Sequence, residues 1–483
     1  MTKWAVLLGL VGCASRQSPD PEPATATPAG PAIVTVTTRS DEARAAYDEA
    51  LVAQDNFRTV SAVRGFEEAL AHDGKFPLAK ARLGALTPDN DGVALLREAH
   101  EDARRRKIPA AEQVLIEALL ALAEGEQARS EALMEQVVEL APGEWRAHMQ
   151  VGNAAYARED YDRALSALDE TVALQPDAGP AWNMLGYTRS ALGNIDSAVE
   201  AFERYAEIAP EEANPHDSIG EVLLKVGRFD EAEIAFMKAV RIDGSFFLSW
   251  TGIAQARFLA GDWDGAFAAI ERADEVVVRE TDRVGLYTLK AWALAAKGQL
   301  SEARAELEAG AEAAKALELD AQYAFSACSE GRIAAFSGQW DDAITAYDAC
   351  FARVYETGLE GGAALGLQTA AQLGKAHALA SKGHVDEASD AMPDADAVVA
   401  RQPGFETWVR RARAAIYRAS GDSAAAIEEL SGCGMTQHMC RHELAAAQEA
   451  SGDEAGAEAT RQALRVQNAR DWDYVAVWMA SER

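Results

Sequence analysis

The stretch AWNMLGYTRSALGNIDSAVEAFERYAEIAP, residues 181–210, reads as two helices folded back on each other. Trp182, Leu185 and Gly186 share one face of a first helix, and Ala198 and Phe202 share one face of a second. The polar break around Asn194 separates them, and Pro210 ends the second, since proline cannot continue a helix. Antiparallel helices that meet at small side chains approach closely while large side chains fill the groove beside them. Gly186 and Ala198 therefore set the distance, and Trp182 and Phe202 fill the gap.

The same order recurs at a spacing of 34 residues: Gly152, Gly186 and Gly220 are in register, as are Ala164, Ala198 and Ala232. The unit before contains Tyr161, Leu168 and Pro176, and the unit after contains Ile219, Phe236 and Ala239. A fourth continues with Trp250, Gly261-Asp262-Trp263 and Ala266, and Asn194, Gly227 and Gly261 lie at the turns between paired helices. Four units in register are not a coincidence of single residues. This order of Trp, Leu-Gly, Ala, Phe and Pro resembles the tetratricopeptide repeat, which implies an all-α, right-handed superhelical solenoid of antiparallel helix pairs.

Outside these units the phase drifts, but a glycine followed five residues later by alanine persists: Gly298 and Ala303, Gly338 and Ala343, Gly383 and Ala388, Gly421 and Ala426, Gly452 and Ala457. Upstream, Phe66-Glu67-Glu68-Ala69-Leu70 and Leu83-Gly84 indicate one or two degenerate units, and residues 125–142 read as another second helix. The expected organisation is roughly ten repeats. Residues 40–143 are degenerate, 144–277 well formed, and 278–483 divergent, closed by a capping helix over 470–483 that carries Trp472, Tyr474 and Trp478.

Ahead of the repeats, residues 1–13 read MTKWAVLLGLVGC: a cation at Lys3, an apolar run and a small residue before Cys13. The apolar run is far shorter than the ~20 residues a membrane span needs. Leu10-Val11-Gly12-Cys13 resembles the lipobox of bacterial lipoproteins, which implies that residues 1–12 are removed and Cys13 is lipidated. In that class an aspartate after the cysteine marks inner-membrane retention; Ala14 and Ser15 stand there instead, so the resemblance favours an outer-membrane anchor in the bacterial envelope. Residues 13–39 are rich in Pro, Ala and Thr and read as a tether, each proline-rich residue spanning about 3 Å.

The formal net charge of -31 repels a phosphate backbone, so nucleic acid is excluded as a partner, and contact with the membrane is assigned to the lipid anchor alone. No phosphate loop, nucleophile elbow, HExxH or dinucleotide fingerprint occurs in suitable context, so the expectation is a chain without catalysis or cofactor. Cys433, His438, Cys440 and His442 cluster as zinc ligands do, but not at a standard spacing. With Cys13 assigned to lipid, four cysteines remain, an even number in an exported chain. Cys328 and Cys350 flank the turn at Gly338, each about eleven residues from the centre of that hairpin, which favours bridges Cys328–Cys350 and Cys433–Cys440 over buried thiols or, for the second pair, a metal.

In tetratricopeptide proteins the first helices line the concave face where peptides lie. The resemblance places Asn153, Asn183, Tyr187, Asp217, Glu221 and Gln255 there, although solvated helix surface is the competing reading. The family's clamp for C-terminal carboxylates uses lysines and asparagines, whereas Asp217 and Glu221 stand here and imply a polar or basic peptide. The run from Leu185 to Ala232 also resembles repeat regions attached to bacterial protein kinases and transcriptional regulators, without a kinase or DNA-binding domain beside it. Two functions follow: a lipid-anchored protein-interaction scaffold, or a ligand- or peptide-sensing module of a signalling system.

Overall fold

The computed structural model describes residues 33–55, 58–433 and 438–465. Alanine-rich amphipathic segments make helices throughout, and no strand occurs among the described residues. The helices alternate as first and second members of twelve consecutive pairs. The first six pairs are α1 (Asp41–Asp55) and α2 (Thr59–His72), α3 (Pro77–Leu86) and α4 (Asp89–Arg106), α5 (Ala110–Ala123) and α6 (Gln127–Leu140), α7 (Trp145–Ala157) and α8 (Tyr161–Leu174), α9 (Gly179–Ala191) and α10 (Ile195–Ile208), α11 (Asn214–Lys225) and α12 (Phe229–Ile242). Then come α13 (Phe247–Ala260) and α14 (Trp263–Val276), α15 (Glu280–Ala296) and α16 (Leu300–Ala316), α17 (Asp320–Phe336) and α18 (Trp340–Thr357), and α19 (Gly361–Ser381) and α20 (Val385–Ala391). A short α21 (Ala395–Arg401) interrupts the order before α22 (Glu406–Ala419) and α23 (Ser423–Ser431), and α24 (His438–Ala450) and α25 (Glu454–Arg465). The all-helical paired architecture is the expected fold class, with more pairs than the roughly ten expected. Three complete pairs precede residue 144, where the sequence marks only fragments.

The described residues fall into two compact units, 33–222 and 223–465. In the first, Leu168 and Leu185 are fully buried with Ala201 between the α8, α9 and α10 helices. A Cβ added at Gly186 would come within 2.6 Å of the Phe202 ring, so only glycine admits that ring. In the second unit Gly252 on α13 meets the ring of Phe236 on α12 at 2.5 Å, a contact between successive pairs. Ala254, the strict-phase equivalent of Gly220, is also buried. Trp182 is only half-buried, and its indole N–H donates to the Pro176 carbonyl at 2.8 Å, which fixes the entry to α9.

The persistent glycine-alanine spacing has a structural cause. Gly298, Gly338, Gly383, Gly421 and Gly452 all take positive φ between paired helices, where an L side chain is strained, and the alanines five residues on are fully buried in the second helix. Where aspartate follows the turn glycine it caps the next helix: Asp262 accepts from Gly265 N–H at 3.0 Å and Asp422 from Ala425 N–H at 3.0 Å. The phase drifts because the helices lengthen. Those from α9 to α14 are 12–14 residues, whereas α15, α16 and α17 each run to 17 and α19 to 21.

The tether read over residues 13–39 ends earlier than its composition indicates. Residues 33–39 are extended and packed, with Val34 buried at 5% exposure. The Thr37 N–H donates to Glu112 Oε1 at 3.1 Å, the Thr38 hydroxyl to Asp73 Oδ2 at 2.8 Å, and the Val34 N–H to Glu144 Oε2 at 3.4 Å. The run Ile33-Val34-Thr35-Val36 is β-branched throughout, so it prefers extended backbone and binds across α2, α5 and the start of α7 as a strap. The signal segment and Cys13, the rest of the tether and the capping segment 470–483 lie outside the described residues.

Candidate functional site

First helices α7, α9 and α11 bring part of the expected groove together. From α9 the Tyr187 hydroxyl donates to Glu221 Oε2 at 2.7 Å and lies 2.9 Å from the Ser218 hydroxyl, both on α11. The Ser218 hydroxyl also reaches Asn183 Oδ1 at 3.1 Å. The ring of Tyr187 stands edge-on to Phe202 with centroids 5.1 Å apart, so the residue that fills the repeat core also fixes the tyrosine. Burial pushes the Tyr187 hydroxyl well above its ordinary range; the Ser218 contact opposes this, and the Glu221 carboxylate adds to it. The phenol therefore stays protonated and donating at neutral pH.

Asn183, Tyr187 and Glu221 thus form one polar ladder. Asn153 lies on α7, half-buried, with its Oδ1 buried and without a hydrogen-bond partner. Asp217 departs from the expected open position: it is 4% exposed, so its carboxylate faces inward. Gln255 lies on α13 in the second unit, half-buried. Ser218 belongs to the ladder although it was not among the expected groove residues. Its signal was the three-residue spacing from Glu221, which puts both on one helical face.

In the second unit Cys328 on α17 lies opposite Cys350 on α18 with Cα atoms 5.1 Å apart, and Cys433 lies opposite Cys440 at 6.3 Å, both separations that a disulfide spans. Among the described residues no group of three or more His, Cys, Asp or Glu side chains could hold a metal. No described helix is long and apolar enough to cross a membrane.

The family comparison agrees with the repeat geometry. The tetratricopeptide repeat model matches residues 115–179, 150–213 and 218–276, so this part of the chain carries tetratricopeptide repeats. Such repeats bind proteins or peptides. No curated protein matches the sequence. Among solved structures, a tetratricopeptide repeat protein from Parabacteroides merdae is 14% identical over 56% of this chain and 93% of its own, with a TM-score of 0.33. MamA is 19% identical over 33% of this chain and 93% of its own, with a TM-score of 0.31. YrrB, described as a tetratricopeptide protein with an unusual peptide-binding site, is 19% identical over 38% of this chain and 91% of its own, with a TM-score of 0.31.

Proposed function

We propose that this chain is a lipid-anchored adaptor of the bacterial envelope that holds a protein partner along the first helices of its repeats and performs no chemistry. The observation that carries the interaction reading is the Asn183, Tyr187, Ser218 and Glu221 ladder, in which a half-buried phenol holds an exposed carboxylate in place. A fixed acceptor beside amide groups suits a polar or basic peptide segment, because the side chain is ordered before the ligand arrives. The anchor rests on the sequence around Cys13, and the outer membrane on Ala14 and Ser15 that follow it. The strap at residues 33–39 supports a tethered arrangement, since it joins the linker to buried Glu112 and Glu144 and to half-buried Asp73.

Crosslinking in the native cell, followed by identification of the captured chains, tests the adaptor. A reproducible partner lost on replacing Tyr187 and Glu221 together is the expected result, and capture independent of both residues overturns it. Labelling with radioactive palmitate and membrane fractionation test the anchor: label that disappears with Cys13→Ser supports it, and an unlabelled soluble chain overturns it. The second reading, a ligand-sensing module, is favoured by a cavity in the first unit.

A further inference from the structure

A cavity of about 360 Å³ opens between α1, α3, α5, α6 and α7, all within the first unit and away from the Tyr187 ladder. Its walls are mainly apolar, with Leu86, Leu115, Leu119, Met134 and Met149 facing it. Charged and polar side chains line its rim, Asp55, Glu131, Glu135, Glu144, Arg146 and Arg158 among them, and Gln54 from α1 and Arg82 from α3 also face it. Gln54 Oε1 and Arg82 Nε are both buried and have no hydrogen-bond partner. Buried polar atoms are normally satisfied, so two orphans on one cavity point to something that the cavity receives.

The charges around the cavity define what that is. Each of its carboxylates already has an arginine: Asp55 and Glu144 share Arg146, Glu131 pairs with Arg158 and Glu135 with Arg163. Among the described residues no carboxylate pairs with Arg82, whose polar neighbour is the buried, neutral hydroxyl of Tyr47. A guanidinium beside apolar walls without an anion is costly, and an anion supplied by a ligand removes that cost. Arg82 Nε donates and Gln54 Oε1 accepts, so the polar end of the ligand presents a carboxylate next to a donor or an ordered water. Taking ~30 Å³ for each non-hydrogen group, the space holds about a dozen of them.

We infer that this cavity binds a small carboxylate with an apolar body of about ten carbons, its anionic end on Arg82 and its chain among the leucines and methionines. The same chemistry is offered by a free aliphatic acid and by the C-terminal residues of an apolar peptide. The cavity shares no residue with the α9 and α11 ladder, so the two sites fail or succeed separately. The net negative charge of the chain gives an anion no long-range attraction, and affinity comes from the desolvated contact itself.

Calorimetric titration of the purified full chain with decanoate and with acetyl-leucyl-leucine, each beside its uncharged counterpart, decanol and acetyl-leucyl-leucinamide, tests the inference. Saturable 1:1 binding of a carboxylate, with the uncharged counterpart at least about tenfold weaker, is expected, as for loss of one hydrogen bond to a charged group. Binding of decanoate alone assigns the free acid, and binding of the dipeptide alone assigns a peptide terminus. Arg82→Gln abolishes the preference for the charged form. Leu119→Trp, which fills the cavity from α5 and leaves Arg82 unsubstituted, abolishes binding while the circular dichroism and melting temperature are retained, and it decides the matter if Arg82→Gln does not fold. Absence of binding by both carboxylates, equal binding of their uncharged counterparts, or undiminished binding to folded Leu119→Trp overturns the proposal.

Discussion

Glu112, fully buried on α5, takes both the N–H and the hydroxyl of Thr37, 75 residues earlier in the chain. One side chain therefore ties the end of the linker to the third helix pair. Burial raises its carboxyl above the ordinary range, against the Thr37 hydrogen bonds and the charge of Arg44. The folded state then holds the proton more tightly than the unfolded state, so this group's contribution is largest in acid. It declines as pH rises from the ordinary carboxylate range through the folded value. Glu112→Gln keeps an acceptor for Thr37 and removes the buried charge. Its melting temperature should exceed that of the parent at neutral pH, and the difference should vanish in acid; a lower value at neutral pH would refute this account.

Glu443 on α24 behaves in the opposite sense. It is 8% exposed and accepts from Arg411 Nε at 3.0 Å and from the terminal guanidinium nitrogen at 2.8 Å, with His377 Nε2 at 3.2 Å. Burial opposes its ionisation, but Arg411 and His377 outweigh burial and hold its carboxyl well below the usual range. That stability is complete above the ordinary carboxylate range and is lost as pH falls toward the depressed folded value. Glu443→Gln leaves Arg411 without its full counter-charge and should cost about 3 kcal/mol or more, read in urea unfolding of the full chain at neutral pH. An unchanged midpoint would show that the pair does not hold α19, α22 and α24 together.

Glu159, Gly193, Gly227 and Gly261 stand 34 residues apart, and all four have positive φ, at 62°, 83°, 77° and 89°. Only the first bears a side chain there, and a left-handed L residue costs about 1 kcal/mol relative to glycine. Glu159→Gly should raise the melting temperature and Gly193→Ala should lower it, each by an amount on the order of 1 kcal/mol. Space is not the issue, because a Cβ at Gly193 would meet nothing within 4 Å. If the two substitutions shift stability in the same direction, turn conformation is not what the repeat selects.

The sequence made α7 to α14 legible because each helix there is 12–14 residues long, which keeps the glycines and alanines in phase. Farther along, the turn glycines and buried alanines remained visible while longer helices broke the period, and the short α20 and α21 carried too little pattern to find. The strap was hidden by composition: Thr35, Thr37 and Thr38 continue a Pro- and Thr-rich linker, and nothing local announces that Glu112 waits for one of them. Asn183, Tyr187 and Glu221 were legible because repeat register places first-helix residues side by side. Gln54 and Arg82 were not, since their meaning depends on helices α5, α6 and α7 closing an apolar wall around them.

Cys328 and Cys350 were legible through their similar distances from the centre of the hairpin at Gly338, and the structure sets them on facing helices, one buried at 3% exposure and the other fully. A bridge between them closes a loop with a sequence separation of 22 and should contribute about 3 kcal/mol. Alkylation of the denatured, unreduced chain followed by peptide mass analysis should find Cys328, Cys350, Cys433 and Cys440 all protected. Labelling of all four would leave the second unit with buried thiols, and Cys328→Ala with Cys350→Ala should then leave the melting temperature little changed by oxidant.

The Tyr187 hydroxyl reaches Glu221 without supporting the core, because its ring already packs on Phe202 and Glu221 is exposed. Tyr187→Phe keeps that ring contact, and Glu221→Gln keeps side-chain shape while removing the charge. The double variant should therefore melt within a few degrees of the parent, a change on the order of 1 kcal/mol for the lost hydrogen bond. Capture of a groove partner should fall by about 10- to 100-fold, since a fixed carboxylate and its orienting phenol are removed together. Measured against a partner first identified by crosslinking, unchanged affinity in a folded double variant would show that the partner lies elsewhere on the repeats. Weaker affinity in Glu221→Gln alone, with Tyr187→Phe neutral, would assign recognition to the charge and leave the phenol no part in it.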